Sequence, residues 1–354
     1  MYCRLVIKSR FLLFLGILIV VIPFLIVNIQ SVSGQSTDIS QQGATTSPKL
    51  YIATTRDDNS FDLDTRQLIH YALDKFGGKC PPEIVIYIHG FNRDRTEAGE
   101  EFDRIQKSLI LNNYTTDLVG FSWNSNTGAN YELAKMNAMA NGPELAKFIN
   151  ELKLKCPTTI RLISHSLGAV VVESTLINLD KMQQGLNMNT SFNNSKKIMS
   201  VHLLGAAIDN KTVAKNTPFG NAIAHVVDKF YNLYNPEDDG LEINTLYENK
   251  IPVGLLGVSL KNATLNYYPL GLVGVSPASE NHPSNYYQTN VVNEIIPVSD
   301  ADGDGNVEEC FENTKPVIKE GDNHCGYIGF RQPFMPFLID DGAMRVVVGN
   351  WTNT

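Results

Sequence analysis

Strand and helix signals alternate along this chain, and the alternation predicts an α/β fold: a mostly parallel central sheet with helices on both faces. Three short apolar runs carry that prediction. Ile84-Val85-Ile86-Tyr87-Ile88 stops at His89-Gly90, Thr159-Ile160-Arg161-Leu162-Ile163 stops at Ser164-His165-Ser166, and Met199 to Leu204 stops at Gly205-Ala206-Ala207. Each is short, β-rich and ended by a small residue or two, as buried parallel strands are.

The remaining elements fill in around these strands. Lys49-Leu50-Tyr51-Ile52-Ala53 reads as a short first strand, and Asp64 to Phe76 has helical spacing that ends at Gly77-Gly78. Helical stretches follow at Glu97 to Leu111, Tyr131 to Leu154 and Leu167 to Asp180. Leu118 to Trp123 and Lys229 to Tyr234 read as further strands, and Val291 to Val298 as the last strand-like run. Two segments interrupt the alternation. Gln183 to Ser195 is polar and Asn-rich, a surface loop. Residues 251–287 are rich in Gly, Pro, Leu and Tyr without a clear period, and are either a cap over a pocket or an irregular packed insertion. The folded domain therefore spans 49–354, with no internal repeat.

Ahead of it stands a separate object. Arg4, Lys8 and Arg10 form a basic head, Phe11 to Val27 is an uncharged apolar run, and Ser31-Val32-Ser33-Gly34-Gln35 supplies small residues. This is the pattern of an export signal, either cleaved after Gly34 or kept as an N-terminal membrane anchor. Residues 35–48, rich in Gln, Ser, Thr, Gly and Pro, read as a flexible linker. The net charge of −8 becomes −11 without residues 1–34. That balance argues against nucleic acid as a partner, since nucleic acid wants a basic face. Two further signals agree with export to an extracytoplasmic location. Without Cys3, four cysteines remain: Cys80, Cys156, Cys310 and Cys325. Sequons occur at Asn113, Asn189, Asn193, Asn210, Asn262 and Asn350, as on a glycosylated surface.

The strongest chemical signal is the run from Ile160 to Ala169, in which a buried strand enters Ser164-His165-Ser166-Leu167-Gly168 and then a helix. This is the pattern of a nucleophile elbow. The tight turn holds the serine in strained geometry, so residues two positions away must be small. Gly168 meets that demand, and Ser164 stands where a first glycine is usual. A helix-capping serine is the plain alternative. The second signal is Ile88-His89-Gly90-Phe91-Asn92, a strand end followed by a bulky residue.

In these motifs the chain resembles the α/β-hydrolase superfamily, on its lipase and esterase side. The likeness extends over about residues 49–330 and is sharp at 84–92, 119–124 and 159–170. It implies an α/β-hydrolase fold with Ser166 as nucleophile and the backbone N–H groups of Phe91 and Leu167 as an oxyanion hole. His89, Gly90, Ser164, His165 and Gly168 would surround it. The family's order of nucleophile, acid, base points to the turn Asn235-Pro236-Glu237-Asp238-Asp239, with Asp238 ahead of Asp239. Only His282 and His324 follow, and His324, placed after the last strand-like run, is the expected base. The activity implied is hydrolysis of a small-molecule or lipid ester through an acyl-enzyme, with no cofactor for catalysis. An amidase, peptidase or thioesterase on the same triad, or a silent surface protein keeping the fold, would carry much of the same sequence.

The resemblance also implies that the strands after Cys80 and Cys156 are parallel neighbours. Both cysteines should then lie at one sheet edge and bond, leaving Cys310 for Cys325. Finally, Asp300-Ala301-Asp302-Gly303-Asp304-Gly305 matches the first half of a calcium loop, but its twelfth place is Phe311. A structural calcium on Asp300, Asp302 and Asp304 is the expectation, and a solvated acidic turn the alternative.

Overall fold

The computed structural model describes residues 48–56, 80–128, 130–185, 197–251, 265–275, 281–295, 324–328, 330–332 and 335–352. Strands β1 (Leu50–Thr54), β2 (Glu83–Ile88), β3 (Asp117–Ser122), β4 (Thr159–His165), β5 (Ile198–Leu204), β6 (Val227–Tyr234) and β7 (Tyr286–Asn290) form one sheet in the order β1-β3-β2-β4-β5-β6-β7. Every pairing in it is parallel. The helices are α1 (Arg95–Leu111), α2 (Tyr131–Lys155), α3 (Gly168–Gly185), α4 (Pro218–Val226), α5 (Asp239–Glu248), the single turn α6 (Leu270–Val273) and α7 (Met344–Thr352). A two-stranded hairpin, β8 (Phe330–Gln332) and β9 (Met335–Asp340), precedes α7.

Strand period assigns the helices to their sides. In β2, Ile84, Ile86 and Ile88 face one core, shared with α2, α3 and α4. Val85 and Tyr87 face the other, shared with Ala98, Phe102, Ile105 and Leu109 of α1 and with α7. All five of these residues are fully buried, which explains a run with no polar alternation. Each isoleucine so buried contributes about 1.5–3 kcal/mol of transfer free energy.

Two close approaches fix the layers. A Cβ on Gly142 of α2 would stand 2.3 Å from Ser174 Cβ, so α2 and α3 cross with backbones nearly touching. A Cβ on Gly168 would stand 2.7 Å from the carbonyl oxygens of both Ile88 and His89, so only glycine lets the first turn of α3 sit on the end of β2. Register then aligns the strand ends: Ile88 pairs with Ser164, and His165 with Leu204. The carboxyl ends of β2, β4, β5 and β6 thus converge where open α/β sheets bind ligands.

Several expectations shift. In the strand-like run Val291 to Val298, the described residues 291–295 form no strand. β7 is Tyr286–Asn290, and Val291 to Glu294 form a turn after it. β4 runs two residues further than the apolar pattern, because Ser164 and His165 are buried and still laddered to β5. Of residues 251–287, the described parts pack into the sheet's end rather than stand above it: Leu270 is fully buried, the Gly271 N–H donates to Ala206 O, and Tyr286 and Tyr287 belong to β7. The hairpin and α7 had no signal in the apolar periodicity. Among the described residues no helix is long and apolar enough to cross a membrane. The N-terminal segment 1–34, the linker to residue 47, the helical stretch 64–76, Asn189, Asn193, Asn262, Cys310 and the acidic run Asp300, Asp302 and Asp304 lie outside the described residues. Among those described, no cluster of His, Cys, Asp or Glu could hold a metal ion.

Of the remaining sequons, Asn113 is exposed, at φ 59°. Asn210 Nδ2 donates to Gly274 O at 3.3 Å, and Asn350 Nδ2 lies 3.4 Å from His202 Nε2, so both amides are already engaged.

Cys80 and Cys156 are joined by a disulfide with Cα atoms 5.4 Å apart, tying the chain just before β2 to the end of α2 just before β4. It closes a loop of 76 residues, long enough for the bond to stabilise the fold by about 4 kcal/mol through the unfolded chain. Cys80→Ser should lower the free energy of unfolding in urea by that order, read as an earlier midpoint. An unmoved midpoint would show that the bond does not constrain the unfolded state.

Candidate active site

Ser166 occupies the turn between β4 and α3 with φ 53°, a left-handed conformation that a non-glycine residue holds only when its surroundings impose it. The imposition is visible. The Ser166 N–H donates to Leu204 O at 3.0 Å, and its carbonyl accepts from Ala169 at 3.1 Å and Ala207 at 3.2 Å. Gly90 presses from β2, where an added Cβ would come within 3.0 Å of Ser166 Cβ. Ser164 is fully buried.

The chain brings His324 and Asp238 to this serine from far along the sequence. Asp238 follows β6 and caps α5, its Oδ1 accepting from the Leu241 N–H at 2.8 Å. Its other oxygen, Oδ2, lies 2.8 Å from His324 Nδ1, and His324 Nε2 lies 2.7 Å from Ser166 Oγ. The carboxylate can only accept at Nδ1, so that nitrogen carries the proton and Nε2 presents its lone pair to the serine hydroxyl. All three side chains are buried. Asp239 lies in the first turn of α5 instead. His282 donates from Nδ1 to Pro283 O at 3.1 Å and packs against Tyr286 ahead of β7.

The amides expected at the oxyanion position are open. Among the described residues, the backbone N–H groups of Phe91 and Leu167 have no acceptor. Leu167 stands at the N-terminus of α3, where the helix dipole favours negative charge. The Phe91 ring meets Tyr131 edge-on at 5.4 Å.

His89 and His165 serve as braces. His89 Nε2 accepts from the Trp123 N–H at 3.1 Å and lies 3.2 Å from Arg56 Nη2, while Nδ1 donates to Gly90 O at 2.9 Å. Trp123 stacks on the ring and returns its indole N–H to His89 O at 3.0 Å. Burial lowers the His89 imidazole to about 4. His165 donates from Nε2 to the His324 carbonyl at 2.8 Å, and burial, helped by neighbouring His324, lowers it to about 3. Both rings are therefore neutral near pH 7.

Beneath them lies a polar cluster that the motifs did not reveal. Glu101 of α1 is fully buried, pairs with Arg93 Nε at 3.1 Å and accepts from the Tyr87 hydroxyl. Arg93 Nη2 reaches Cys325 Sγ at 3.5 Å, next to His324. Cys325 is itself disulfide-bonded. A signal for this cluster was present: Glu101 falls within the apolar stripe Ala98, Phe102, Ile105 and Leu109, where an acid needs a buried partner.

Residues 71–266 match the profile of a family described as alpha/beta hydrolase of unknown function (DUF900). No curated protein matches. Among solved structures, the chain is similar to Trichoderma reesei cutinase in complex with a C11Y4 phosphonate inhibitor, at 20% identity over 40% of this chain and 63% of that one, TM-score 0.24. It is also similar to Bacillus licheniformis lipase BlEst2 in mature form (14% identity, 60% of this chain, 84% of that one, TM-score 0.29). A third is Aspergillus fumigatus lipase B (12% identity, 81% of this chain, 66% of that one, TM-score 0.35).

Burial would raise the Glu101 carboxyl, but the Arg93 guanidinium beside it outweighs that and holds the group at about 2, below the ordinary 4.5. A depressed carboxyl contributes stability above its unfolded pKa and loses it as pH falls toward the folded value. Acidification from about pH 4.5 to 2 should thus remove on the order of 3 kcal/mol through this group. In Glu101→Gln that part of the decline should vanish, while stability at pH 7 falls because Arg93 is left buried without its charge partner. Equal acid slopes in urea titrations of the two proteins would contradict this.

Proposed function

The chain belongs to the α/β-hydrolase family of unknown function, and we propose that it is an exported serine hydrolase that cleaves carboxylic esters. Ser166 is the nucleophile, His324 the base and Asp238 the orienting acid. The observation that carries this reading is the buried hydrogen-bond chain from Asp238 Oδ2 through His324 to Ser166 Oγ, with links of 2.8 and 2.7 Å.

The chemistry follows from the atoms. Ser166 Oγ adds to the ester carbonyl as His324 Nε2 takes its proton, and Asp238 stabilises the imidazolium that forms. The oxyanion is met by the N–H groups of Phe91 and Leu167, which are held by the backbone before substrate arrives. Collapse expels the alcohol with the proton from His324 and leaves an acyl-Ser166 ester. Water then adds to that ester with His324 again as base, releasing the acid and restoring the hydroxyl. The export segment supports an extracytoplasmic site of action, with the membrane as a partner if residues 1–34 are retained. The same location suits the Cys80–Cys156 disulfide and a glycan at exposed Asn113.

Ser166→Ala should fold and lose turnover of short-chain p-nitrophenyl esters by several orders of magnitude, to the residue left by binding and the oxyanion amides. Unchanged turnover in a folded variant would refute the assignment. Between the adjacent acids, Asp238→Asn should reduce kcat by a factor on the order of ten thousand, as expected when the imidazole loses its tautomer. Asp239→Asn should have a far smaller effect, and the reverse ranking would overturn the choice of acid.

A further inference from the structure

One face of α3 runs away from Ser166 and lines an open cavity of about 430 Å³. Val170, Glu173, Ile177 and Lys181 recur on it at helical spacing, so the cavity follows the helix axis for about 16 Å. Its near end adjoins the elbow: Val170 lies in the first turn of α3, and Ala207, also in the wall, donates its N–H to Ser166 O at 3.2 Å.

Val170, Ile177, Met139, Ile208 and Tyr267 form the apolar part of this wall, which also carries the charged groups of Lys135, Glu173, Lys181 and Asp209. Glu173 stands among them on the α3 face. It is half-buried, about 10 Å along the axis from Ser166, and makes no hydrogen bond or ion pair with a described residue. Burial pushes its carboxyl up to about 7, against the pull of Lys135 and with the push of Asp209. Lys135, from α2, does not pair with it, because its ammonium is bound by Glu248. Asp209, after β5, adds a second carboxylate to the wall, and Lys181 sits at the far end, two turns beyond Glu173. With Glu248 and Glu173 itself counted, three carboxylates stand against two ammonium groups. A cleft that desolvates a carboxylate with no cationic side chain bound to it favours a ligand that supplies the cation. The Tyr267 ring in the same wall already faces the Lys135 ammonium, 5.9 Å from its centroid.

We propose that this groove is a substrate subsite for a cationic group: an ammonium about 10 Å from the scissile ester, joined by a short apolar chain and held by Glu173 with Asp209. The inference rests on Ser166 as the reacting centre, because the groove is measured from it.

The test is titration calorimetry of the folded protein with hexyltrimethylammonium, hexanol and hexanoate, combined with the rate of fluorophosphonate labelling. At pH 8 the ammonium ion should bind at least ten-fold more tightly than either of the others and should slow labelling of Ser166. The preference should weaken toward pH 6 as Glu173 takes a proton, disappear in Glu173→Gln, and persist in Glu173→Asp. No binding, equal binding of hexanol, tighter binding of hexanoate, or a preference that survives Glu173→Gln would overturn the proposal, as would ammonium binding that leaves labelling unslowed. Calorimetry needs no turnover. If the protein resists labelling altogether, the serine assignment fails while the heats still decide whether the groove takes a cation.

Discussion

The first turn of α3 rests on the end of β2 with no room for a side chain between them. Both carbonyl oxygens of Ile88 and His89 lie where a Cβ on Gly168 would come within 2.7 Å. Everything chemical in the molecule depends on that approach. It places the N-terminus of α3, with its unsatisfied amides, beside the loop that begins at Gly90. The chain turns at Ser166 and Leu167 to reach α3, with Ser166 at φ 53°. A larger residue at Gly168 would separate Ser166, the amides of Phe91 and Leu167, and His324 at once.

The second constraint is electrostatic, and it works from below. His324 directly precedes the buried 3-10 turn Cys325–Ile328. Among the described residues, Asp238 on Nδ1, His165 on its carbonyl and Arg93 on the sulfur of Cys325 restrain it. Arg93 is in turn held by Glu101, and Glu101 by Tyr87. The buried charges are costly to desolvate, and each is offset only by its neighbours. In the proposed mechanism a base misplaced by an ångström loses much of its effect, which would give this network a role beyond stability.

How much of this was legible in the sequence can be argued residue by residue. The strands at 84–88, 159–163 and 199–204 were plain because full burial on both faces leaves uninterrupted apolar runs. The place of Ser166 in a tight turn between strand and helix was plain because such a turn demands small residues at fixed positions. Asp238 and His324 were reachable only through chain order, since a lone acid and a lone histidine carry no local signature. β7 was misplaced because Tyr286-Tyr287-Gln288-Thr289-Asn290 sits at the sheet edge, half-exposed and polar, whereas the neighbouring Val291 and Ile295 are buried as turn residues. Glu101 stood in the apolar stripe of α1, but which partner it meets, like the α3 groove, depends on which helix face meets which loop, and that is decided by packing.

The central claim is that Ser166 is an activated nucleophile, and peptide mapping by mass spectrometry after exposure to a fluorophosphonate tests it most directly. The account predicts one phosphonyl adduct, on the peptide that contains Ser166, formed by native protein and absent after unfolding in urea. An adduct on another serine, or none on native protein at neutral pH, would contradict it.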